Sequence, residues 1–393
     1  MSRERASGTD SELIELVSGL VEIESENPPG NEKPAAEFVA NWFEENDIET
    51  TLVEKPFEDR PQVVAQVGSG DPTLVLNGHT DVYPAGDRSR WEHDPYGAEI
   101  EDGKLYGRGS VDMKLGLSLA MLTAKNLKPA IESGELDGSI VVHAPIGQET
   151  GDPGTLALIE EGYEGDYAVV LEPTRMETVT SNKGLAWYDI TVNGEPGHSA
   201  RPDSGINAIE EAHALVGRLL EYDDELRRRE HELVGPAYAN LTQIEGGLTG
   251  NMIPERMTLR LERRFFPNET VDEMDEEVGA LLEDVASEHG LDIEWERVSS
   301  YESTDAPTDS YPAEVFRKHS SDAAGVSTEP AGRPWAADTR WFINHTDVPA
   351  ITWGPGDSAL CGRYDEHFDI DEAETGLDVL QRAAREILTT SAE

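Results

Sequence analysis

Cysteine is almost absent: Cys361 is the single one in 393 residues. An intrachain disulfide is therefore excluded, and this sparing use fits a reducing compartment, so a cytoplasmic location is expected. Long apolar runs are missing as well. No stretch has the length of a membrane span, and none of signal-peptide type opens the chain, so no membrane association is expected. Positive charge is scarce: 31 Lys plus Arg stand against 80 Asp plus Glu, a formal net charge of −49, and only 8 of the cations are Lys. An excess of that size repels nucleic acid and anionic lipid, so neither is an expected partner. The acids run through the whole chain and form no separate tail. They read either as the solvated surface of a halophile's protein or as a surface built for a cationic partner. On the first reading dense salt screens the self-repulsion, because the Debye length falls to about 3 Å at 1 M.

What is present is an alternation of elements in a chain long enough for two domains. Residues 13–21 and 32–46 carry apolar side chains at helical spacing, with Thr9, Asp10 and Ser11 as N-cap candidates for the first helix. Apolar runs at 63–67, 73–76, 140–146 and 168–171 read as strands. Residues 112–127 and 153–161 read as helices between them. This pattern predicts a mostly parallel sheet with helices on both faces. After about residue 181 the order becomes strand 185–192, helix 205–229, strands 240–244 and 257–265, helix 271–289 and strand 293–298. Such a β-α-β-β-α-β order resembles the split ferredoxin-like unit and predicts an inserted α+β domain. Alternation resumes with a helix at 313–324, a strand at 349–353 and a helix at 372–388. The expected domains are therefore 1–181 with 299–393, and 182–298 inserted.

Four stretches can carry chemistry, each at the end of an apolar strand or the start of a helix. Gly78-His79-Thr80-Asp81-Val82 follows the strand at 73–76, and in extended backbone His79 and Asp81 share one face. Arg108-Gly109-Ser110-Val111-Asp112-Met113-Lys114 opens a helix, where Asp112 is either an N-cap or a ligand. Gly147-Gln148-Glu149-Thr150-Gly151 and Leu171-Glu172-Pro173-Thr174 each follow a buried strand, as polar loops or as ligand carriers. Open α/β sheets place their chemistry at carboxyl strand ends. A histidine and several carboxylates brought to one such edge form a donor set that Zn²⁺ accepts, and two ions can share one bridging carboxylate.

The four motifs in this order resemble the co-catalytic zinc amidohydrolases that include acetylornithine deacetylase, succinyl-diaminopimelate desuccinylase, glutamate carboxypeptidase and aminoacylase. The resemblance covers nearly the whole chain. It implies a zinc-aminopeptidase-like α/β catalytic domain with an inserted α+β (ferredoxin-like) lid and dimerisation domain. It implies two metal ions, Zn²⁺ with Co²⁺ or Mn²⁺ as alternatives, the first held by His79 and Glu172, the second by Glu149, with Asp112 bridging. Asp81 matches the acid that orients the first histidine. Gly194-Glu195-Pro196-Gly197-His198-Ser199-Ala200 is similar to the segment whose histidine reaches the neighbouring subunit's site and steadies an oxyanion, so a homodimer is expected. Asn251, in Gly246 to Pro254, matches a substrate-contacting asparagine. Arg264, in Glu262-Arg263-Arg264, matches the residue that grips a substrate carboxylate; the alternative is a strand arginine paired with a surface acid. Asp338 falls on a position near the cleft.

Two positions depart from the pattern. Gln148 stands where the family has the glutamate that serves as general base. An amide has no basic site for the proton, and losing a general base typically costs roughly 10²–10⁴ in rate. Gly362 follows Leu360-Cys361 where the family has its last metal-binding histidine. The nearest imidazole is His367, just beyond Asp365-Glu366, which reads as a replacement ligand or as a solvated histidine. Two functions follow. One is a metal-dependent hydrolase of amide bonds in N-acyl amino acids or small peptides. The other is a catalytically silent relative that binds such ligands without cleaving them. The acidic surface generates a test: the protein is expected to melt cooperatively in molar KCl and to lose thermal stability on desalting. A melting curve unchanged between low and molar salt would remove the halophilic reading.

Overall fold

The computed structural model describes residues 11–389, so the cap candidates Thr9 and Asp10 lie outside the described residues. Two compact units are present. One takes the chain up to Thr180, Ala306–Ala331 and the chain from Ala337 onward; the other takes Ser181–Asp305 and Gly332–Ala336.

In the first unit, strand Thr73–Asn77 lies between Ser139–Ala144 and Tyr167–Val170, parallel to both. Ala350–Thr352 continues the parallel block beside Tyr167–Val170. All six residues of Ser139–Ala144 are buried, as expected for strands covered on both faces. Gln62–Val67 joins antiparallel to Ser139–Ala144, and Glu49–Val53 adds an antiparallel edge. That edge strand has no counterpart in the sequence reading, because its Glu-Thr-Thr start is mostly solvated and leaves no apolar run to detect. A second small sheet pairs Lys104–Tyr106 with Glu99–Glu101 and with His367–Asp369, all too short to show a period.

Ser11 caps helix Glu12–Val21 by accepting from the Ile14 amide. The helix that follows the Asp112 motif starts at Leu115, not at residue 112, and runs to Glu132. Asp112 has φ −121° and ψ 91°, outside helical geometry, and Lys114 at the helix entrance makes no side-chain cap. Asp112 is thus no helix cap, and its carboxylate is released for another task. Residues 115–124 of this helix are buried all round, which marks it as the central helix of the unit. A Cβ on Gly116 would stand 2.1 Å from the Leu171 carbonyl oxygen, so only glycine lets the helix approach the strand end that carries Glu172.

The second unit has the order strand Gly184–Asn193, helix Ala208–Leu226, strands Tyr238–Gly246 and Arg256–Phe265, helix Val271–His289 and strand Asp292–Tyr301. In space Arg256–Phe265 sits between Tyr238–Gly246 and Gly184–Asn193, with Asp292–Tyr301 on the far side of Gly184–Asn193, every pair antiparallel. Burial alternates strictly along Arg256–Phe265, so one face of the sheet meets the helices. Helix Val271–His289 starts in a capping box between Thr270 and Glu273.

Strand Ala350–Thr352 ends in Trp353, fully buried, whose indole donates to the Met176 carbonyl and the Ser320 hydroxyl at 3.0 and 2.9 Å. Its ring meets Phe316 edge-on at 5.1 Å. Trp353→Ala is expected to lower the unfolding free energy by roughly 3–5 kcal/mol, measured by denaturant titration in molar KCl. A loss within the scatter of surface substitutions would show that this end of the sheet does not depend on the indole.

Candidate metal centre

Three parallel strands and the kink before the central helix deliver the polar residues. His79 stands two residues beyond strand Thr73–Asn77 and Glu172 two beyond Tyr167–Val170, while Gln148–Thr150 forms a short helical turn beyond Ser139–Ala144. His79 is 1 % exposed and Glu172 4 %, and Asp81 is fully buried.

Asp81 ties these segments together. One of its oxygens accepts from the Glu149 amide at 3.0 Å and the Asn27 side chain at 3.1 Å, the other from the Gln148 amide at 3.2 Å. His79 Nδ1 lies 2.9 Å from the Asp81 carbonyl oxygen and 3.4 Å from the Asp81 carboxylate. A carbonyl can only accept, so Nδ1 carries a hydrogen, and in the neutral ring it is Nε2 that keeps the lone pair. That Nε2 points at Asp112 Oδ1 (3.4 Å) and Glu172 Oε1 (3.7 Å). His79, Asp112 and Glu172 each offer one ligand atom, all within 4.8 Å of one another.

The electrostatics are those of a site that wants a cation. Burial and then the Asp112 charge push both the Glu149 and Glu172 carboxyls well above the usual carboxylate range. Burial opposes a charge on His79, but the neighbouring Asp112, Asp81 and Glu172 carboxylates outweigh it and hold the imidazole well above its ordinary value. His79 Nε2, Glu149 Oε1 and Glu172 Oε1 are buried with no hydrogen-bond partner. Buried polar atoms left in that condition are costly, and a divalent ion in the cluster satisfies His79 Nε2 and Glu172 Oε1 together. The donor set, one imidazole with carboxylates, fits such an ion.

Two features around the cluster were not legible as parts of it. Glu366 Oε1 accepts from the amides of Val111 and Asp112, both at 3.2 Å, and its other oxygen pairs with Arg108. Arg108, 2 % exposed, also donates to the carbonyls of Arg363 and Gly362 at 3.1 and 3.2 Å. Both residues occur in quoted motifs, but no spacing rule pairs positions 108 and 366. Tyr83 hydrogen-bonds Glu149, and nothing in its sequence position signals this.

The remaining candidates lie as follows. Asp338 is buried, accepts from Thr155 at 2.7 Å and adds its charge to the surroundings of Glu172. His367 is no member of the three-ligand cluster: its Nδ1 meets the Asp365 carbonyl at 2.7 Å and its ring lies on Tyr106, centroids 4.8 Å apart. In the second unit, His198 is exposed and pairs with Met252 in a two-residue ladder, and the Ser199 amide donates to the Asn251 carbonyl, so those two motifs adjoin. Arg264 is held by Glu262 through Nε and Nη2, at 3.0 and 3.2 Å.

A buried imidazole and carboxylates gathered at the carboxyl ends of parallel strands, around unpartnered donor atoms, define the site of a metal-dependent hydrolase. Residues 75–386 match the family described as Peptidase family M20/M25/M40, and the chain belongs to that family of metal-dependent amidohydrolases and peptidases. It is 28 % identical over 414 residues to a probable succinyl-diaminopimelate desuccinylase of Staphylococcus aureus, covering 97 % of this chain and 98 % of the relative. Its fold is similar to that of human carnosine dipeptidase 1 (TM-score 0.78, 18 % identity, 96 % of each chain). It is also similar to a dinuclear metal-binding peptidase of Bacillus subtilis (TM-score 0.68, 16 % identity, 96 % of this chain and 98 % of the other). Among the described residues no helix is long and apolar enough to cross a membrane.

Glu366→Gln is expected to lower the unfolding free energy by roughly 3–5 kcal/mol, because the buried Arg108 guanidinium cannot shed its charge. Denaturant titration in molar KCl measures this. An unchanged midpoint would mean that the Gly362 and Arg363 carbonyls are counterpart enough.

Proposed function

We propose that this chain cleaves the amide bond of an N-acyl amino acid or a short peptide with a free carboxylate, using metal held by His79, Asp112 and Glu172. The observation that carries the reading is the set of buried, unpartnered donor atoms converging on the Asp112 carboxylate. The relatives support the substrate class, one named as a desuccinylase and one as a dipeptidase. A divalent ion there supplies polarisation of a carbonyl and a lower pKa for water.

The chain's own groups do the rest. The Asp81 carbonyl fixes the His79 tautomer and so aims Nε2 into the cluster. Asp81 also anchors the Gln148–Glu149 turn through both amides, setting the distance from that turn to Asp112. Gln148, 8 % exposed, can orient water but cannot take its proton. In the second unit His198 is assigned to the developing oxyanion, acting across a homodimer, and Asn251 to the substrate. Arg264 is assigned to the substrate carboxylate, which must compete with Glu262 for the guanidinium fork. The expected ions are Zn²⁺, Co²⁺ or Mn²⁺, whose selection depends on geometry and supply.

Gln148 favours a second reading, a family member that binds these ligands without cleaving them. A panel of N-acyl amino acids and dipeptides, assayed in molar KCl with Zn²⁺ or Co²⁺, separates the two. Slow turnover abolished by chelation and raised about 10²–10⁴-fold by Gln148→Glu supports hydrolysis restrained at this position. Ligand binding without product in both proteins supports the silent reading. Turnover of this chain equal to that of Gln148→Glu would show that Gln148 does not occupy the base position.

A further inference from the structure

Gly362, where the sequence resemblance leads one to expect an imidazole, is not simply bare. Its φ of +70° is left-handed, and a Cβ added there would come 3.4 Å from Cδ2 and 3.7 Å from Cε2 of Tyr83. The Tyr83 ring therefore lies against the space that a side chain at 362 would enter. Arg108 fastens the two segments side by side, donating to the carbonyls of Gly362 at 3.2 Å and Pro84 at 3.5 Å. Tyr83 does not end at that space: its hydroxyl donates to the Glu149 carboxylate.

Glu149 is thereby shared between two neighbours. The carboxyl takes the phenol and feels the Asp112 and His79 charges, and its Oε1 is buried without a partner. Among the described residues, the three ligand atoms that lie within 4.8 Å of one another come from His79, Asp112 and Glu172, and Glu149 stands outside that set. A second ion would have to be held by Glu149, by the already engaged Asp112 and by a group at 362 that does not exist.

We propose that Tyr83 closes the second metal position, its ring over Gly362 and its hydroxyl on Glu149, so that this chain binds one divalent ion, at His79, Asp112 and Glu172. The proposal rests on the metal reading above and narrows it. Tyr83 is here a positioning residue, since it acts through Glu149. It is also 42 % exposed, so part of the ring remains on the solvent side.

Metal-free protein in molar KCl, equilibrated with Zn²⁺ and analysed for bound metal, tests this without reference to turnover. One Zn²⁺ per chain is expected. Two per chain would overturn the proposal and leave the metal reading standing; none would overturn both. Loading with Co²⁺ gives a second readout. A thiolate-to-cobalt charge-transfer band lost in Cys361→Ser would make Cys361, which hydrogen-bonds Asp112, a ligand and overturn closure by Tyr83. Gly362→His alone is expected to hold one Zn²⁺, whereas Tyr83→Ala combined with Gly362→His is expected to hold two. A second ion in Gly362→His with Tyr83 still present, or one ion in the double variant when its circular dichroism matches the parent, would refute the role given to Tyr83.

Discussion

The Asp81 carboxylate, sealed from solvent beneath the cluster, is bound by the side chain of Asn27 and by two consecutive amides of the Gln148–Glu149 turn. Through its own carbonyl the same residue holds the His79 ring. A buried carboxylate of this kind is tolerable only when nearly every lone pair is satisfied. Hydrogen bonds to His79, Asn27 and the Glu149 amide keep Asp81 ionised against its burial, below the usual carboxylate range. Without that carboxylate the turn loses its anchor, while the backbone carbonyl that fixes the His79 tautomer remains. The strand ends would remain, but the Gln148–Glu149 turn would no longer be tied to the His79 segment.

Around that anchor the molecule accepts an electrostatic conflict. Asp112, Glu149 and Glu172 converge around the His79 imidazole. Desolvation and the Asp112 charge push the Glu149 and Glu172 carboxyls upward, which is the signature of a site completed by a cation. The frame that sustains the conflict lies one layer out. Glu366 holds the backbone amide of Asp112, and Arg108 holds Glu366, with burial raising the Glu366 carboxyl to about 7 against the opposing pull of Arg108. This layer keeps Asp112 out of the helix that begins at Leu115 and so turns its carboxylate toward the metal cluster.

The extent to which these parts were legible depends on how local their causes are. Apolar runs of four to six residues mark the strands at 73–77, 139–144 and 167–170, because strands covered on both faces must be apolar throughout. The edge strand Glu49–Val53 escaped because it is solvated on most of its length. The helix starts at Leu115 and not at the expected Asp112 for a physical reason: an acid before an apolar helical run looks like a cap, and only the contacts of Val111 and Asp112 with Glu366 reveal a kink. Arg264 left two readings open, and the geometry gives it Glu262 as a partner on its own strand, two residues away.

By itself the sequence determined the acidic character of the surface, the exclusion of disulfides, the alternation that makes an α/β sheet, and the family, since each follows from composition, periodicity or motif order. It also identified Gln148 and Gly362 as departures, because a missing base or a missing side chain is visible in one dimension. Tertiary structure alone decided what surrounds them. Tyr83 and Gly362 are far apart in the chain, yet their segments meet through one buried guanidinium that reaches the carbonyls of Pro84 and Gly362. Contacts made by a side chain to distant backbone carbonyls leave no period and no spacing in a sequence. They exist only once the sheet has brought its strand ends together.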